Sequence, residues 1–201
     1  GAVKTIIGLC RGCHDELGRV EQDINGFVAK GYRILAVAMG VSREEVGLIG
    51  IAALYDKPRE DSPRLISELQ KLGISVKMLT GDALPIAKEV AGQAGLGDNI
   101  SRITDLKNNL NNEDTLKTME ESDGFAEIYP EDKYLIVKSL QFRGHVVGMT
   151  GDGVNDAPAL KQAEVGIAVS NATDIAKKSS SVVLSLEGFE GIFDMVVIGR
   201  M

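Results

Sequence analysis

Two carboxylates and one carboxamide stand close together in the segment Gly151–Asp156, which reads Gly-Asp-Gly-Val-Asn-Asp. Asp152 and Asp156 lie four positions apart, so one can bind a hard cation while the other anchors the loop or its waters. Mg²⁺ suits this sparse set, because it keeps several waters and takes one or two protein carboxylates together with substrate phosphate. The alternative is a turn that is rich in Asp and Gly for backbone reasons alone.

A second candidate set, Thr80-Gly81-Asp82, combines a hydroxyl group, a flexible backbone and a position just before a predicted helix. Helix N-termini bind anions, and α/β folds bind them at the carboxyl edge of the sheet. The triplet therefore indicates a phosphate pocket, although an ordinary strand-to-helix turn would look the same.

Lys133 is a third candidate, because it falls in the first turn of a predicted helix. A cation there is unfavourable with the helix dipole unless it has an anionic partner, and a phosphate would supply one. A solvated surface lysine is the alternative interpretation.

The elements that would position these residues alternate between strand and helix from about Ala53 onward, which indicates a parallel sheet with crossover helices. Strands are predicted at Ile74–Thr80, Gly124–Ile128, His145–Thr150, Val165–Val169 and Ser181–Leu184. Helices are predicted from an N-cap at Ser62 to Gly73 and at Ala83–Ala94, Thr115–Glu121, Pro130–Phe142, Asp156–Ala163 and Gly188–Met201, with Asp105–Asp114 as a solvated loop. A helix over Asp15–Lys30 and a strand over Tyr32–Met39 are assigned to a second domain that ends near Ala53–Arg59.

The composition excludes several classes of protein. With 44% hydrophobic and 25% charged residues the chain is neither disordered nor a membrane protein, and its apolar runs are shorter than the roughly 20 residues that span a bilayer. A net charge of −7 argues against nucleic acid as the main partner, but it does not exclude nucleotides, which backbone N–H groups and Mg²⁺ can hold. Because no signal peptide is visible, an intracellular setting is expected.

The segment Cys10-Arg11-Gly12-Cys13-His14 matches a haem-attachment pattern. A haem would also need an apolar pocket and usually a second axial ligand, and a zinc site would need four ligands. Cysteines at a helix end are therefore the preferred interpretation.

Four segments occur in the order seen in P-type ATPases. They are Asp56-Lys57-Pro58-Arg59, Met78-Leu79-Thr80-Gly81-Asp82, Pro130-Glu131-Asp132-Lys133 and Met149–Leu160. The resemblance extends over essentially the whole chain, since Gly1-Ala2 matches the end of a K-G-A nucleotide motif and Gly31–Leu35 is similar to a G-x-R-x-L segment of the nucleotide-binding domain. Two further segments, Asp123–Ala126 and Ala172–Ala176, look most like plasma-membrane proton pumps.

The resemblance implies an α/β fold of the haloacid-dehalogenase-like Rossmannoid kind, with a parallel sheet and helices on both of its faces. It also implies two domains: residues 1–54 would be the C-terminal part of a nucleotide-binding domain, and residues 55–201 a phosphorylation domain. The implied cofactor is Mg²⁺, the implied substrate is ATP, and the parent protein would work at the cytosolic face of a membrane.

The same resemblance implies roles for individual residues. Thr80, Gly81 and Asp82 would hold phosphoryl oxygens, which Lys133 would neutralise. Asp152 would ligate Mg²⁺ with Asp156 as a second candidate, while Asn155 and Asp156 orient the loop. Gly1, Arg33, Asp56 and Arg59 would reach the nucleotide.

One departure from the family is decisive for the expected activity. The nucleophilic aspartate of P-type ATPases lies in a D-K-T-G-T motif, and no such string occurs in this sequence. Asp56-Lys57 matches its first two letters, but Pro58-Arg59 follows. We therefore expect a phosphorylation domain without its first strand and nucleophile, inactive alone, whose partners are the missing N-terminal and transmembrane parts of the same pump.

Two other functions stay open from the sequence. A free-standing phosphatase of the same superfamily would need a nucleophilic aspartate ahead of Thr80, where no convincing candidate stands. A non-catalytic module that binds nucleotide or Mg²⁺ would need none.

Overall fold

The computed structural model describes residues 1–10, 14–42, 45–110, 112–186 and 188–200, with the backbone alone for residues 14–19. Its strands are β1 (Arg33–Gly40), β2 (Val46–Leu54), β3 (Met78–Leu79), β4 (Ile100–Arg102), β5 (Gly124–Ala126), β6 (Gly148–Gly151), β7 (Val165–Ala168) and β8 (Val182–Val183). Its helices are α1 (Val3–Leu9), α2 (His14–Val28), α3 (Ser62–Lys71), α4 (Leu84–Gln93), α5 (Ile103–Leu106), α6 (Glu113–Glu121), α7 (Pro130–Phe142), α8 (Ala157–Gln162), α9 (Asp174–Ser179) and α10 (Glu190–Gly199).

The first part of the chain contains an antiparallel hairpin of β1 and β2, which pair from Arg33 opposite Leu54 to Gly40 opposite Val46. Helices α1 and α2 pack against β1. The sequence did not predict β2, because two glycines and two alanines within it weaken the strand signal.

The rest of the chain alternates strands with helices and confirms the predicted parallel α/β class. Two three-stranded parallel sheets form, in the orders β3-β5-β4 and β6-β7-β8. Strands β3 and β6 are thus edge strands, and within the described ranges neither has a pairing partner on its outer side.

Helix α7 packs against the hydrophobic clusters of both sheets and joins their cores. Its Val137 packs into one hydrophobic cluster with Met149 and Leu160, while its Ile136 packs into another with Phe125. Two more residues contact both clusters: Leu79 of β3, and Val147 just before β6. The two edge strands therefore lie on the same side of α7, which is the helix that carries Lys133.

Several predicted strands are shorter in the structure. The prediction Ile74–Thr80 reduces to Met78–Leu79, and His145–Thr150 reduces to Gly148–Gly151. A strand extends only where it has ladder partners, and within the described residues the ladder of β3 consists of Met78 opposite Gly124 and Leu79 opposite Phe125.

The predicted helices agree better, and Pro130–Phe142 is confirmed to the residue. Asp61 rather than Ser62 is the N-cap of α3, since Ser62 already lies in the helix and is buried. The solvated loop over Asp105–Asp114 was wrong: α5 ends inside it, a 3₁₀ turn follows at Lys107–Asn109, and α6 begins at Glu113. The signal for that start is Asn112, whose side chain accepts the Asp114 N–H at 2.8 Å.

Two expectations concern membranes and haem. None of the helices in the described residues is both long and apolar enough to cross a bilayer. Of the haem-attachment pattern, Arg11–Cys13 and the His14 side chain lie outside the described residues, whereas the Cys10 thiol donates to the Ile6 carbonyl at 3.2 Å.

Candidate functional site

The loop Gly151–Asp156 leaves β6 at its carboxyl end and closes through a 3₁₀ turn onto α8. The Asp156 carboxylate holds it from inside. Its Oδ2 accepts the N–H groups of Asp152 at 3.1 Å and of Gly153 at 3.0 Å. Asp156 thereby fixes the backbone that carries Asp152.

The other oxygen of Asp156 pairs with a cation: the Lys133 Nζ donates to Asp156 Oδ1 at 2.6 Å. Asp156 is 3% exposed. Burial by itself would raise the pKa of Asp156, but the hydrogen bonds from Lys133 and from the Gly153 N–H outweigh it, and the pKa lies below its ordinary value. The carboxyl group is therefore ionised at neutral pH.

The Lys133–Asp156 pair explains why a lysine can stand at the N-terminus of α7. A lysine in the first turn of α7 has the anionic partner that the helix dipole requires, and that partner is Asp156. Because both Asp156 oxygens are engaged, Asp156 fits the role of loop anchor better than that of metal ligand.

A second buried carboxylate, Asp132, fixes the N-terminus of α7 beside Lys133. It is 2% exposed, its Oδ2 accepts the Tyr129 N–H at 2.8 Å, and its Oδ1 pairs with Lys107 at 3.1 Å. Sequence reasoning assigned no role to Asp132 or Lys107. The available signal for Asp132 was its spacing of three residues after Tyr129, which is that of a capping box.

The Thr80–Asp82 turn follows β3, and its side chains bond to one another and to Arg33. The Thr80 hydroxyl donates to Asp82 Oδ2 at 2.8 Å, and Arg33 Nε donates to Asp82 Oδ1 at 2.5 Å. The turn lies close to the start of α7, because the Ile128 N–H donates to the Thr80 carbonyl at 3.2 Å.

The N-terminus of α4, expected to bind phosphate, already has a carboxylate partner. Glu127 Oε1 accepts the Leu84 N–H at 3.3 Å and pairs with Arg102 at 3.0 Å. The Arg102 hydrogen bond holds the pKa of Glu127 below its usual range. Glu127 has a φ of 57°, which is uncommon for a residue other than glycine.

Asp152 and Asn155 extend into solvent from the same loop. Within the described part of the chain, neither side chain has a hydrogen bond or an ion pair. A free carboxylate on a loop that Asp156 fixes suits the Mg²⁺ that the resemblance implies, because Mg²⁺ takes few protein ligands.

The residues expected at the nucleotide lie in different places. Arg33 reaches the Thr80–Asp82 turn through Asp82. Gly1 lies along β1, where its nitrogen donates to the Ala36 carbonyl at 2.8 Å. Arg59 Nε lies 3.9 Å from Asp61 Oδ1 at the start of α3. Asp56 is exposed in the preceding segment. Among the described contacts of these residues, that of Arg33 with Asp82 reaches the Thr80–Asp82 turn.

A substitution at Gly151 tests the loop packing. A Cβ at Gly151 would stand 2.5 Å from the Asp156 Cβ and 2.8 Å from its Oδ2, whereas one at Gly153 would meet nothing nearer than 3.7 Å. We expect Gly151→Ala to lower the free energy of unfolding by about 1–3 kcal/mol and Gly153→Ala to change it little. Urea unfolding followed by circular dichroism measures both, and equal effects would contradict this packing.

Comparisons with known proteins identify the family of the chain. The family model of haloacid dehalogenase-like hydrolases matches residues 10–164. A protein of Methanocaldococcus jannaschii provisionally named a cation-transporting ATPase is 45% identical over the whole chain, which spans 25% of that protein. Plasma membrane ATPase 1 of Schizosaccharomyces pombe is 42% identical over 92% of the chain and 21% of its own length.

Solved structures give the same result. The crystal structure of a zinc-transporting PIB-type ATPase in its E2.Pi state superposes on 90% of this chain and 24% of that one, with a TM-score of 0.65 and 30% identity. The chain therefore spans no more than a quarter of the length of these relatives. The resemblance to P-type ATPases that the motifs indicated is confirmed.

Proposed function

Because the chain belongs to the haloacid dehalogenase-like hydrolases, we propose that it is the phosphoryl-handling part of a P-type cation-transporting ATPase. Residues 1–54 are the C-terminal part of its nucleotide-binding domain, and residues 55–201 are its phosphorylation domain. The observation that carries the proposal is the ion pair between half-buried Lys133 and buried Asp156 beneath the loop that presents Asp152.

Each residue has a role in phosphoryl transfer, which depends mostly on positioning and charge. Asp152 would hold Mg²⁺, which would supply positive charge for the phosphoryl oxygens. Asp156 fixes the loop and the Lys133 ammonium, and Asn155 extends a carboxamide from the same loop. Lys133 and Thr80 supply cationic and hydroxyl contacts to the phosphoryl group, and Arg33 supplies a cation to the nucleotide phosphates.

The phosphoacceptor aspartate belongs to another segment of the parent protein. The 201 residues contain no D-K-T-G-T string, and the edge strands β3 and β6 lie on the same side of α7, each with an unpaired outer side within the described ranges. One strand between them would join the two sheets and end beside Thr80 and Asp152.

The transported ion is the finer part of the proposal, and we propose the proton. The segments Asp123–Ala126 and Ala172–Ala176 resemble plasma-membrane proton pumps, and a plasma membrane ATPase is among the relatives. The parent protein then presents this chain at the cytosolic face of a membrane.

The isolated chain should form no phosphoenzyme from ATP. Incubation with radiolabelled ATP and Mg²⁺ followed by acid precipitation measures the product, and the parent pump serves as the positive control. Acid-stable, hydroxylamine-sensitive label on the isolated chain would contradict the assignment of the nucleophile to another segment.

A further inference from the structure

Asp82 engages two groups that the proposed function assigns to phosphate. Its Oδ2 accepts a hydrogen bond from the Thr80 hydroxyl, with 2.8 Å between the two oxygens. Its Oδ1 accepts a hydrogen bond from Arg33 Nε at 2.5 Å. A terminal nitrogen of the same guanidinium also contacts that oxygen. A single carboxylate thus stands where a phosphoryl group would find its donors.

Asp82 and a phosphate cannot both accept the hydrogen bond that the Thr80 hydroxyl donates. A hydroxyl group has one hydrogen to donate, so Thr80 cannot donate to Asp82 and to a phosphate oxygen together. A carboxylate and a phosphate are both anions, so Asp82 cannot bind phosphate directly and instead repels it. The expected assignment of Asp82 as a phosphate-binding residue therefore does not suit its charge.

Solvent reaches this pair from the Arg33 side. The Arg33 side chain is 64% exposed, whereas that of Asp82 is 19% exposed. A phosphate can approach Arg33 without prior opening of the structure, and guanidinium binds phosphate in the same bidentate manner as carboxylate.

We propose that Asp82 is an internal competitor of phosphate, which holds Thr80 and Arg33 until a phosphoryl group displaces it. The inference rests on the proposed function, because that function gives Thr80 and Arg33 to phosphate. Phosphate binding then replaces the Asp82 carboxylate on Thr80 and Arg33. The release of Asp82 costs free energy and lowers the affinity for phosphate.

The exchange also changes how the first part of the chain contacts the second. Arg33 is the residue of β1 that reaches the Thr80–Asp82 turn, and a second contact persists nearby: Tyr55 donates to Gln93 of α4 and stacks on Tyr32 with ring centroids 4.9 Å apart. Displacement of Asp82 therefore transfers Arg33 from the carboxylate to the phosphate, while the Tyr32–Tyr55 contact keeps the two parts together.

The variant Asp82→Asn tests the proposal, because the carboxamide keeps the shape and an acceptor for Thr80 while it loses the charge. Titration with inorganic phosphate, and separately with a non-hydrolysable ATP analogue and Mg²⁺, gives the dissociation constants by calorimetry. We expect Asp82→Asn to bind both probes about fivefold more tightly than the unmodified chain. Asp98→Asn, an exposed carboxylate just before β4, is the charge-matched control and should change neither constant.

A second readout follows the exchange directly. The Arg33 Nε–H resonance in NMR should be protected from solvent exchange in the ligand-free chain, and Asp82→Asn should abolish that protection. Equal or weaker binding by Asp82→Asn would overturn the inference and leave the proposed function intact. Equal tightening by Asp98→Asn would overturn it as a general charge effect. Absence of binding in every variant would overturn it together with the proposed phosphate site.

Discussion

Asp152→Asn should raise the Mg²⁺ concentration for half-maximal phosphorylation from ATP by at least about tenfold in the parent pump. The substitution removes the carboxylate charge that the cation binds and leaves the loop in place, because Asp156 bonds to the backbone N–H of residue 152 and not to its side chain. Rapid-quench phosphorylation over a Mg²⁺ series measures the shift.

A nearby carboxylate is the control for this variant. Asp174 begins α9, next to Thr173, whose N–H donates to the Asp152 carbonyl at 2.8 Å. Asp174→Asn removes one charge from the same edge and should leave the Mg²⁺ dependence nearly unchanged. An unchanged Mg²⁺ dependence in Asp152→Asn, or an equal shift in both variants, would refute Asp152 as the specific ligand.

Lys133→Met should lower the free energy of unfolding of the chain by about 3–5 kcal/mol at neutral pH. The substitution leaves the Asp156 carboxylate buried without its cation, and a buried unpaired charge is the costly case. Lys138→Met is the matched control, because Lys138 lies on the exposed side of the same helix. Urea unfolding followed by circular dichroism measures both.

The effect of Lys133→Met should depend on pH in a defined direction. In the unmodified chain the pKa of Asp156 is lowered, so the stability that its ionised form contributes is present above the unfolded pKa of about 3.9 and is lost as pH falls through the folded value. Loss of Lys133 raises the folded pKa. The difference between the two proteins should therefore be largest near neutral pH and narrow toward pH 4, and a constant difference would contradict the ion pair.

The residues of the candidate site could be selected from the sequence, whereas the pairing of their side chains could not. The spacing of Asp152 and Asp156 indicated one metal ligand and one loop anchor, but not which was which. Burial favours Asp156 as the loop anchor, since Asp156 is enclosed and Asp152 is exposed. The Arg33–Asp82 contact joins residues 49 positions apart, and no local pattern encodes such a distance.

The fold shows the same division between local and non-local information. Helix α7 was predicted to the residue because Pro130 and a helical apolar stripe mark it locally. The strands β3 and β6 were predicted too long, because their lengths depend on partners elsewhere in the chain. The sequence also suggested one parallel sheet, whereas the described residues form two, with β3 and β6 as edge strands.

Paramagnetic line broadening with Mn²⁺ in place of Mg²⁺ tests the central claim most directly, because it locates a divalent cation on the chain itself. Mn²⁺ and a non-hydrolysable ATP analogue are added to the ¹⁵N-labelled protein, and the broadening of each backbone amide signal is measured. Broadening should be strongest at Asp152 and Gly153, extend to Thr80, and weaken in Asp152→Asn. Broadening centred away from the loop Gly151–Asp156, and unchanged in Asp152→Asn, would contradict the assignment of this loop as the Mg²⁺ site.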